Sequence, residues 1–159
     1  MAFYAEAADI ARMAMDIEDA GQQFYTKLAA TTPDAHAKSL FTYLAGQEGQ
    51  HKLIFGTILQ QTAQDQKQQE YVIDILGQMK TMVDDLRAFI FNAQNASGSG
   101  IDLPAAVTLA IHGESESIRI YGEMKRVLTE TFTPILEKII TEEQKHLKIL
   151  QDFQNNKTI

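Results

Sequence analysis

The chain has 159 residues, 45 % of them hydrophobic, which is enough for one domain over residues 1–159 with a sizeable core. The net charge of −7 and the lack of a basic run argue against nucleic acid or an anionic membrane surface as the main partner. The absence of cysteine excludes disulfides, thiol catalysis and cysteine-ligated iron. No stretch approaches the roughly 18 apolar residues of a membrane span. Glu6 and Asp9 near the N-terminus are not typical of a secretory signal, so we expect a cytoplasmic protein.

The first part of the sequence predicts a pair of long helices within residues 3–64. The first helix ends at about residue 31, before Pro33, because proline cannot continue a helix. The second helix begins near Asp34, whose side chain can cap the free amides of the first turn, and runs to residue 64.

The second part predicts another helix pair within residues 102–155. Asp102 is the expected cap of helix three, with Pro104 in its first turn, and Thr133 opens helix four after a break near residue 130. The connection over residues 65–101 contains apolar runs that suit one or two shorter helices. A crossover of this length lets helix three run parallel to helix two, so we predict an all-α four-helix bundle.

One short motif occurs in both helix pairs. In each pair a glutamate is followed three residues later by a histidine, and a single glutamate precedes this motif by 30 residues in the first copy and by 29 in the second. Residues three apart lie on one face of a helix, so the side chains of each motif can reach a common point. The residues concerned are Glu18, Glu48 and His51 in the first copy, and Glu114, Glu143 and His146 in the second.

Other positions repeat in the same register. An alanine lies four residues before each single glutamate, at Ala14 and Ala110. A tyrosine lies seven residues after each, at Tyr25 and Tyr121. The chain therefore reads as a duplicated helix pair, with its candidate ligands at matching places in both copies.

The six candidate ligands lie within apolar stripes of their helices. In helix two, for example, Leu44, Glu48, His51 and Phe55 step by three and four along one face, the pattern of a face that packs against a core. None of the four stripes contains lysine or arginine, and burying a carboxylate costs several kcal/mol unless it is paired or bound to metal. Two divalent cations would cancel the charge of four glutamates. Oxygen and nitrogen ligands in this mixture suit iron, manganese or zinc in a dinuclear centre.

This motif set resembles that of the ferritin-like superfamily, specifically its rubrerythrin-like and bacterioferritin-like di-iron carboxylate proteins. The resemblance extends over all four main helices. It implies a ferritin-like four-helix bundle that holds two iron ions per chain, with manganese or zinc as alternatives. The implied roles are terminal carboxylates for Glu18 and Glu114, bridging carboxylates for Glu48 and Glu143, and imidazole ligands for His51 and His146.

The resemblance also implies a function, with two departures from the family pattern. Family members typically oxidise ferrous iron, or reduce dioxygen or hydrogen peroxide, and Tyr25 and Tyr121 match tyrosines that hydrogen-bond the ligating carboxylates. Rubrerythrins commonly carry an extra glutamate three residues after the single glutamate of helix three, where this chain has Ser117. Many also carry a cysteine-ligated iron domain that delivers electrons, which a chain without cysteine cannot form. Both departures argue against rubrerythrin-style peroxide reduction, and the electron donor stays unknown.

Simpler interpretations exist for several of these residues. The glutamates and histidines could be solvated faces of an ordinary bundle, and the tyrosine hydroxyls could have partners elsewhere in the core. Glu116 and Glu142 neighbour candidate ligands in the sequence but are expected on other faces, in solvent. His36 and His112 lack a glutamate three residues before them and are expected at the surface.

Two functions from different classes are therefore open. One is a di-iron oxidoreductase of ferroxidase or peroxidase type, and the other is a non-enzymatic metal-binding or oligomerising bundle. An oxygenase that acts on an organic substrate would need an apolar pocket beside the metals, which a sequence does not reveal. We also predict a homodimer or larger homo-oligomer, because four aromatic residues exceed the needs of one small core: Phe3, Tyr4, Phe89 and Phe91.

Overall fold

The computed structural model describes residues 7–64, 80–88, 92, 102–127 and 130–156. These residues form the long helices α1 (Ala7–Thr31), α2 (Ala35–Gln64), α3 (Leu103–Val127) and α4 (Thr133–Asn156). Residues 80–88, between α2 and α3, are helical as well. The described ranges contain no strand, so the predicted all-α class is confirmed. Among them, no helix combines the length and the apolar character that a membrane span requires.

The helix starts are capped by the predicted residues. Oδ1 of Asp34 accepts a hydrogen bond from the N–H of Ala37 at 2.7 Å, and Oδ1 of Asp102 accepts one from Ala105 at 2.9 Å. Each aspartate thereby satisfies an amide that has no partner within its own helix. The short link with Pro33 between α1 and α2 makes these two helices antiparallel neighbours.

The directions of the helices follow from two reciprocal contacts. α1 packs along α2, α3 packs along α4, and α1 also contacts α3. The hydroxyl of Tyr25 donates to Glu114, and the hydroxyl of Tyr121 donates to Glu18. Because the later residue of each helix meets the earlier residue of the other, α1 and α3 are antiparallel. Since α2 is antiparallel to α1, α2 and α3 run parallel, which confirms the predicted crossover.

The interior of the bundle is apolar except at its centre. The predicted stripes are buried, as shown by Leu44 and Phe55 of α2 and by Leu136 and Ile139 of α4. The polar residues buried with them are at most 5 % exposed, so the interpretation of these residues as solvated faces is wrong. They are Glu18, Glu48, His51, Glu114, Glu143 and His146.

Parts of the predicted organisation fall near or beyond the ends of the described ranges. Val83 and Leu86 are buried in the helical segment 80–88, in agreement with a short helix in the crossover. Helix three was expected to end around residue 130, but Glu130 already lies in a turn. The four aromatic residues considered for a subunit interface all lie outside the described residues, so the homo-oligomer stays a prediction: Phe3, Tyr4, Phe89 and Phe91.

Candidate metal centre

The six candidate ligands, which come from all four long helices, meet in the interior of the bundle. They form two groups of four residues, and within each group one ligand atom per residue lies within 4.8 Å of the others. Both groups include the carboxylates of Glu48 and Glu143. This arrangement is that of two adjacent cation positions with two shared carboxylates. The groups are Glu18, Glu48, His51 and Glu143 on one side, and Glu48, Glu114, Glu143 and His146 on the other.

Glu143 is hydrogen-bonded to both histidines. Its Oε1 lies 2.8 Å from Nδ1 of His51, and its Oε2 lies 2.9 Å from Nδ1 of His146. Burial alone would raise the pKa of Glu143, but the hydrogen bonds from His146 and His51 lower it to about 2. Burial would lower the pKa of His51, but its contacts with Glu143 and Glu18 raise it to about 11. In the metal-free protein, Glu143 is therefore a carboxylate and His51 an imidazolium.

The other three carboxyl groups of the centre are not neutralised in this way. Burial raises the pKa of Glu18, Glu48 and Glu114, and the negative charge of Glu143 raises each of them further. Oε2 of Glu18 and Oε1 of Glu48 are buried and have no hydrogen-bond partner in the described part of the chain. A buried polar atom without a partner costs about 1–3 kcal/mol. The cluster is thus stabilised by whatever brings positive charge to these oxygens, either a proton on Glu48 or a bound cation.

Each terminal carboxylate is held by a tyrosine from the opposite copy. Tyr25 donates to Oε1 of Glu114 at 2.5 Å, and Tyr121 donates to Oε1 of Glu18. Burial raises the pKa of both hydroxyls well above the usual value, and the nearby carboxylates raise it further, so both remain protonated donors. The alternative that these hydroxyls find partners elsewhere is wrong. Oε2 of Glu18 stays available to a ligand.

Glu142 is the polar residue whose surroundings the sequence did not predict. It lies about 100° around the helix from Glu143, a position that indicates solvent. Its Oε2 nevertheless lies 3.0 Å from Nε2 of His51, and its side chain is only 28 % exposed. The contact comes from α2, across the helix interface, and no spacing within α4 could have revealed it. His36 and His112 are exposed as expected, whereas Glu116 is 28 % exposed, like Glu142, and pairs with Arg119 of its own helix.

A small pocket reaches the cluster between α1 and α3. It is lined by Tyr25, Glu48 and Glu114 and by apolar side chains such as Ile17 and Phe24. Within this pocket, the space that the centre of a water molecule can occupy has a volume of about 20 Å³. That volume holds one water or one diatomic molecule and is far too small for an organic substrate. Three small residues also line the pocket: Gly21, Gly113 and Ser117.

Four helices with this crossover and a carboxylate–histidine cluster between them define a ferritin-like bundle. No family model matches the chain, and no curated protein matches it. Among solved structures, the chain is similar to one from Thermotoga maritima described as a "putative ferritin-like diiron-carboxylate protein", with 23 % sequence identity and a TM-score of 0.68. The similarity covers 98 % of this chain and 98 % of that one. At this identity the comparison establishes the fold, and the predicted ferritin-like fold is confirmed.

Proposed function

We propose that this protein binds two iron ions between its four helices and there oxidises ferrous iron or reduces dioxygen or hydrogen peroxide. The observation that carries the proposal is the pair of overlapping ligand groups that share Glu48 and Glu143. Four carboxylates and two imidazoles are a donor set that suits iron, with manganese or zinc as alternatives. The description of the similar solved structure as a diiron-carboxylate protein supports the same proposal.

The charges and the orphaned atoms of the site fit two divalent cations. Two such ions balance four carboxylates, and they give partners to Oε2 of Glu18 and Oε1 of Glu48, which have no hydrogen-bond partner among the described residues. Tyr25 and Tyr121 keep the terminal carboxylates in place from the opposite helices. When bound in the ferrous state, the metal pair supplies one electron per ion to an oxidant.

The pocket between α1 and α3 supports a small oxidant as the reacting partner. Apolar side chains such as Ile17 and Phe24 line it beside the carboxyl groups of Glu48 and Glu114. The space of about 20 Å³ that the centre of a water-sized molecule can occupy suits a molecule with two heavy atoms. Dioxygen and hydrogen peroxide both meet this limit, so an oxygenase reaction on an organic substrate is not favoured.

Anaerobic calorimetric titration of the metal-free protein with ferrous ion tests the proposal. We expect saturation at two ions per chain, followed by rapid oxidation of the bound iron when dioxygen or peroxide is added. Binding of fewer than two ions would overturn the dinuclear site. Two bound ions that stay ferrous in the presence of both oxidants would instead favour the non-enzymatic metal-binding bundle. Parallel titrations with manganese and zinc compare the binding affinities of the three metals.

Gly21 leaves the space in which the carboxylate of Glu48 lies. A Cβ at this position would be 2.9 Å from Oε2 of Glu48, closer than such atoms normally approach. We expect Gly21→Ala to displace that carboxylate and to weaken ferrous binding by about tenfold or more, as measured by the same titration. Gly122→Ala is the matched control, because a Cβ there meets nothing within 4 Å. Unchanged binding in Gly21→Ala would contradict the shared role of Glu48.

A further inference from the structure

The two halves of the centre differ at the outer nitrogen of each histidine. Nδ1 of both rings faces Glu143. Nε2 of His51 lies 3.0 Å from Oε2 of Glu142. Within the described ranges, no side chain hydrogen-bonds to Nε2 of His146. That ring instead meets the half-exposed Tyr43 edge-on, with ring centroids 6.2 Å apart.

The two copies of the duplicated pattern also differ in sequence near these histidines. His51 corresponds to His146 at an offset of 95 residues, and by the same offset Gln47 corresponds to Glu142. A carboxylate in the second copy is therefore replaced by a neutral amide in the first. Side chains of α2 and α4 meet at the centre, where His51 contacts both Glu142 and Glu143, so Glu142 acts on the histidine of the opposite copy.

We infer that Glu142 is a positioning residue for His51 and that it makes the metal position of His51 the stronger of the two. The inference rests on the proposed function, since it concerns the same two metal positions. Glu142 is partly shielded from solvent, and among the described residues its ion pair is with His51 and not with a lysine or arginine. Its negative charge is therefore directed at this imidazole.

A carboxylate beside Nε2 prepares an imidazole to act as a metal ligand. It accepts the N–H of Nε2, which keeps the ring proton on that nitrogen and leaves the lone pair of Nδ1 for the metal. It also raises the basicity of the ring and fixes its rotation. A fixed negative charge nearby further attracts a cation. Among the described residues His146 has no such partner, so its position binds a cation with a less restrained ring and with one negative charge fewer beside it.

Anaerobic titration of the metal-free chain with ferrous ion measures the difference between the two positions. The wild-type isotherm is expected to show two binding steps whose affinities differ by about tenfold or more. Glu142→Gln is expected to weaken the stronger step by about tenfold with the stoichiometry unchanged, and Gln47→Glu to strengthen the weaker step. Two equal steps in the wild type that Glu142→Gln leaves unchanged would overturn this inference alone. A chain that binds no ferrous ion would overturn the proposed function itself.

Variants that keep one metal position separate positioning from a general structural effect. His146→Gln retains the position of His51, and His51→Gln retains the position of His146. Adding Glu142→Gln is expected to lower ferrous affinity about tenfold in the first background and to leave it unchanged in the second. An equal loss in both backgrounds would show that Glu142 supports the fold and would overturn the inference. If either background binds no iron, the two-step titration of the full site decides.

Discussion

Glu48→Gln is expected to stabilise the metal-free protein while it abolishes the binding of a pair of ferrous ions. In the part of the chain that the structure describes, Oε1 of Glu48 is buried without a hydrogen-bond partner, and so is Oε2 of Glu18. Glutamine has almost the same shape, carries no charge and brings an amide N–H that can donate to Glu18. We expect the free energy of unfolding of the metal-free protein to rise by about 1–3 kcal/mol. The same substitution removes a carboxylate that both ligand groups share.

The effect of Glu48→Gln is expected to depend on pH. The pKa of Glu48 in the folded chain is well above the ordinary value of 4.5, because of burial and the charges of Glu143 and Glu18. A group with a raised folded pKa loses its contribution to stability as pH rises from the unfolded value toward the folded one. The advantage of the glutamine variant is therefore small at pH 4.5 and grows at higher pH. Urea unfolding at a series of pH values measures it, and an advantage that shrinks with pH would contradict the assignment.

Glu143→Gln is expected to have the opposite effect on stability. Its two oxygens accept from His51 and His146, and glutamine offers one acceptor oxygen in place of two. The buried imidazolium of His51 also loses its nearest counter-charge. Removing one partner of a buried ion pair costs about 3 kcal/mol. Glu48→Gln and Glu143→Gln are both expected to lose the binding of a pair of ferrous ions. In the metal-free state, however, Glu48→Gln is expected to raise the free energy of unfolding and Glu143→Gln to lower it.

Urea unfolding of the metal-free variants and the anaerobic titration together test this pair. Glu123→Gln is a suitable control, because Glu123 pairs with Arg126 on the surface of α3 and should change stability by less than about 0.5 kcal/mol. Retention of two ferrous ions with unchanged affinity by either variant would refute the shared-carboxylate arrangement. Equal destabilisation by both would refute the charge distribution within the cluster.

The fold and the ligand candidates were readable from the sequence because the duplication repeats a chemical pattern in register. A glutamate or histidine in an apolar stripe is informative, since burial without a partner is costly. The length of the crossover then fixes the direction of α3. The hydrogen-bond partner of Tyr25 could not be predicted in this way. Tyr25 lies about 10 Å along the helix from Glu18, too far for a hydrogen bond to it. It therefore bonds Glu114 of the antiparallel α3, a partner that only the packing of α1 on α3 determines.

Two features of the centre could not be predicted because they depend on the distance between helices. Glu142 occupies a helix face that reads as solvent, and only the approach of α2 brings His51 to it. The pocket is set by how closely α1 and α3 approach beside Gly21 and Gly113. Helical periodicity identifies which residues face a neighbouring helix, but it carries no information on the distance between the two helices or on the cavity left between them.

Gly113→Val is expected to slow the oxidation of bound iron about tenfold or more without changing the amount of iron bound. Gly113 lines the pocket, and a Cβ there meets nothing within 4 Å, so valine fits without displacing a neighbour and adds bulk to the pocket wall. Rapid mixing of the ferrous-loaded protein with dioxygen or hydrogen peroxide measures the rate, and the anaerobic titration measures the iron.

Gly122→Val separates blockage of the pocket from a general effect of valine on α3. Gly122 lies on the same helix, a Cβ there also meets nothing within 4 Å, and it does not line the pocket. The two substitutions change helix propensity alike, so only Gly113→Val is expected to slow oxidation. Equal slowing of oxidation by both substitutions would indicate a general effect of valine on the backbone of α3. An unchanged oxidation rate in Gly113→Val would mean that oxidants reach the metals by another route. Because dioxygen and peroxide both have two heavy atoms, a blocked pocket slows both, whereas slowing of one alone would indicate separate routes.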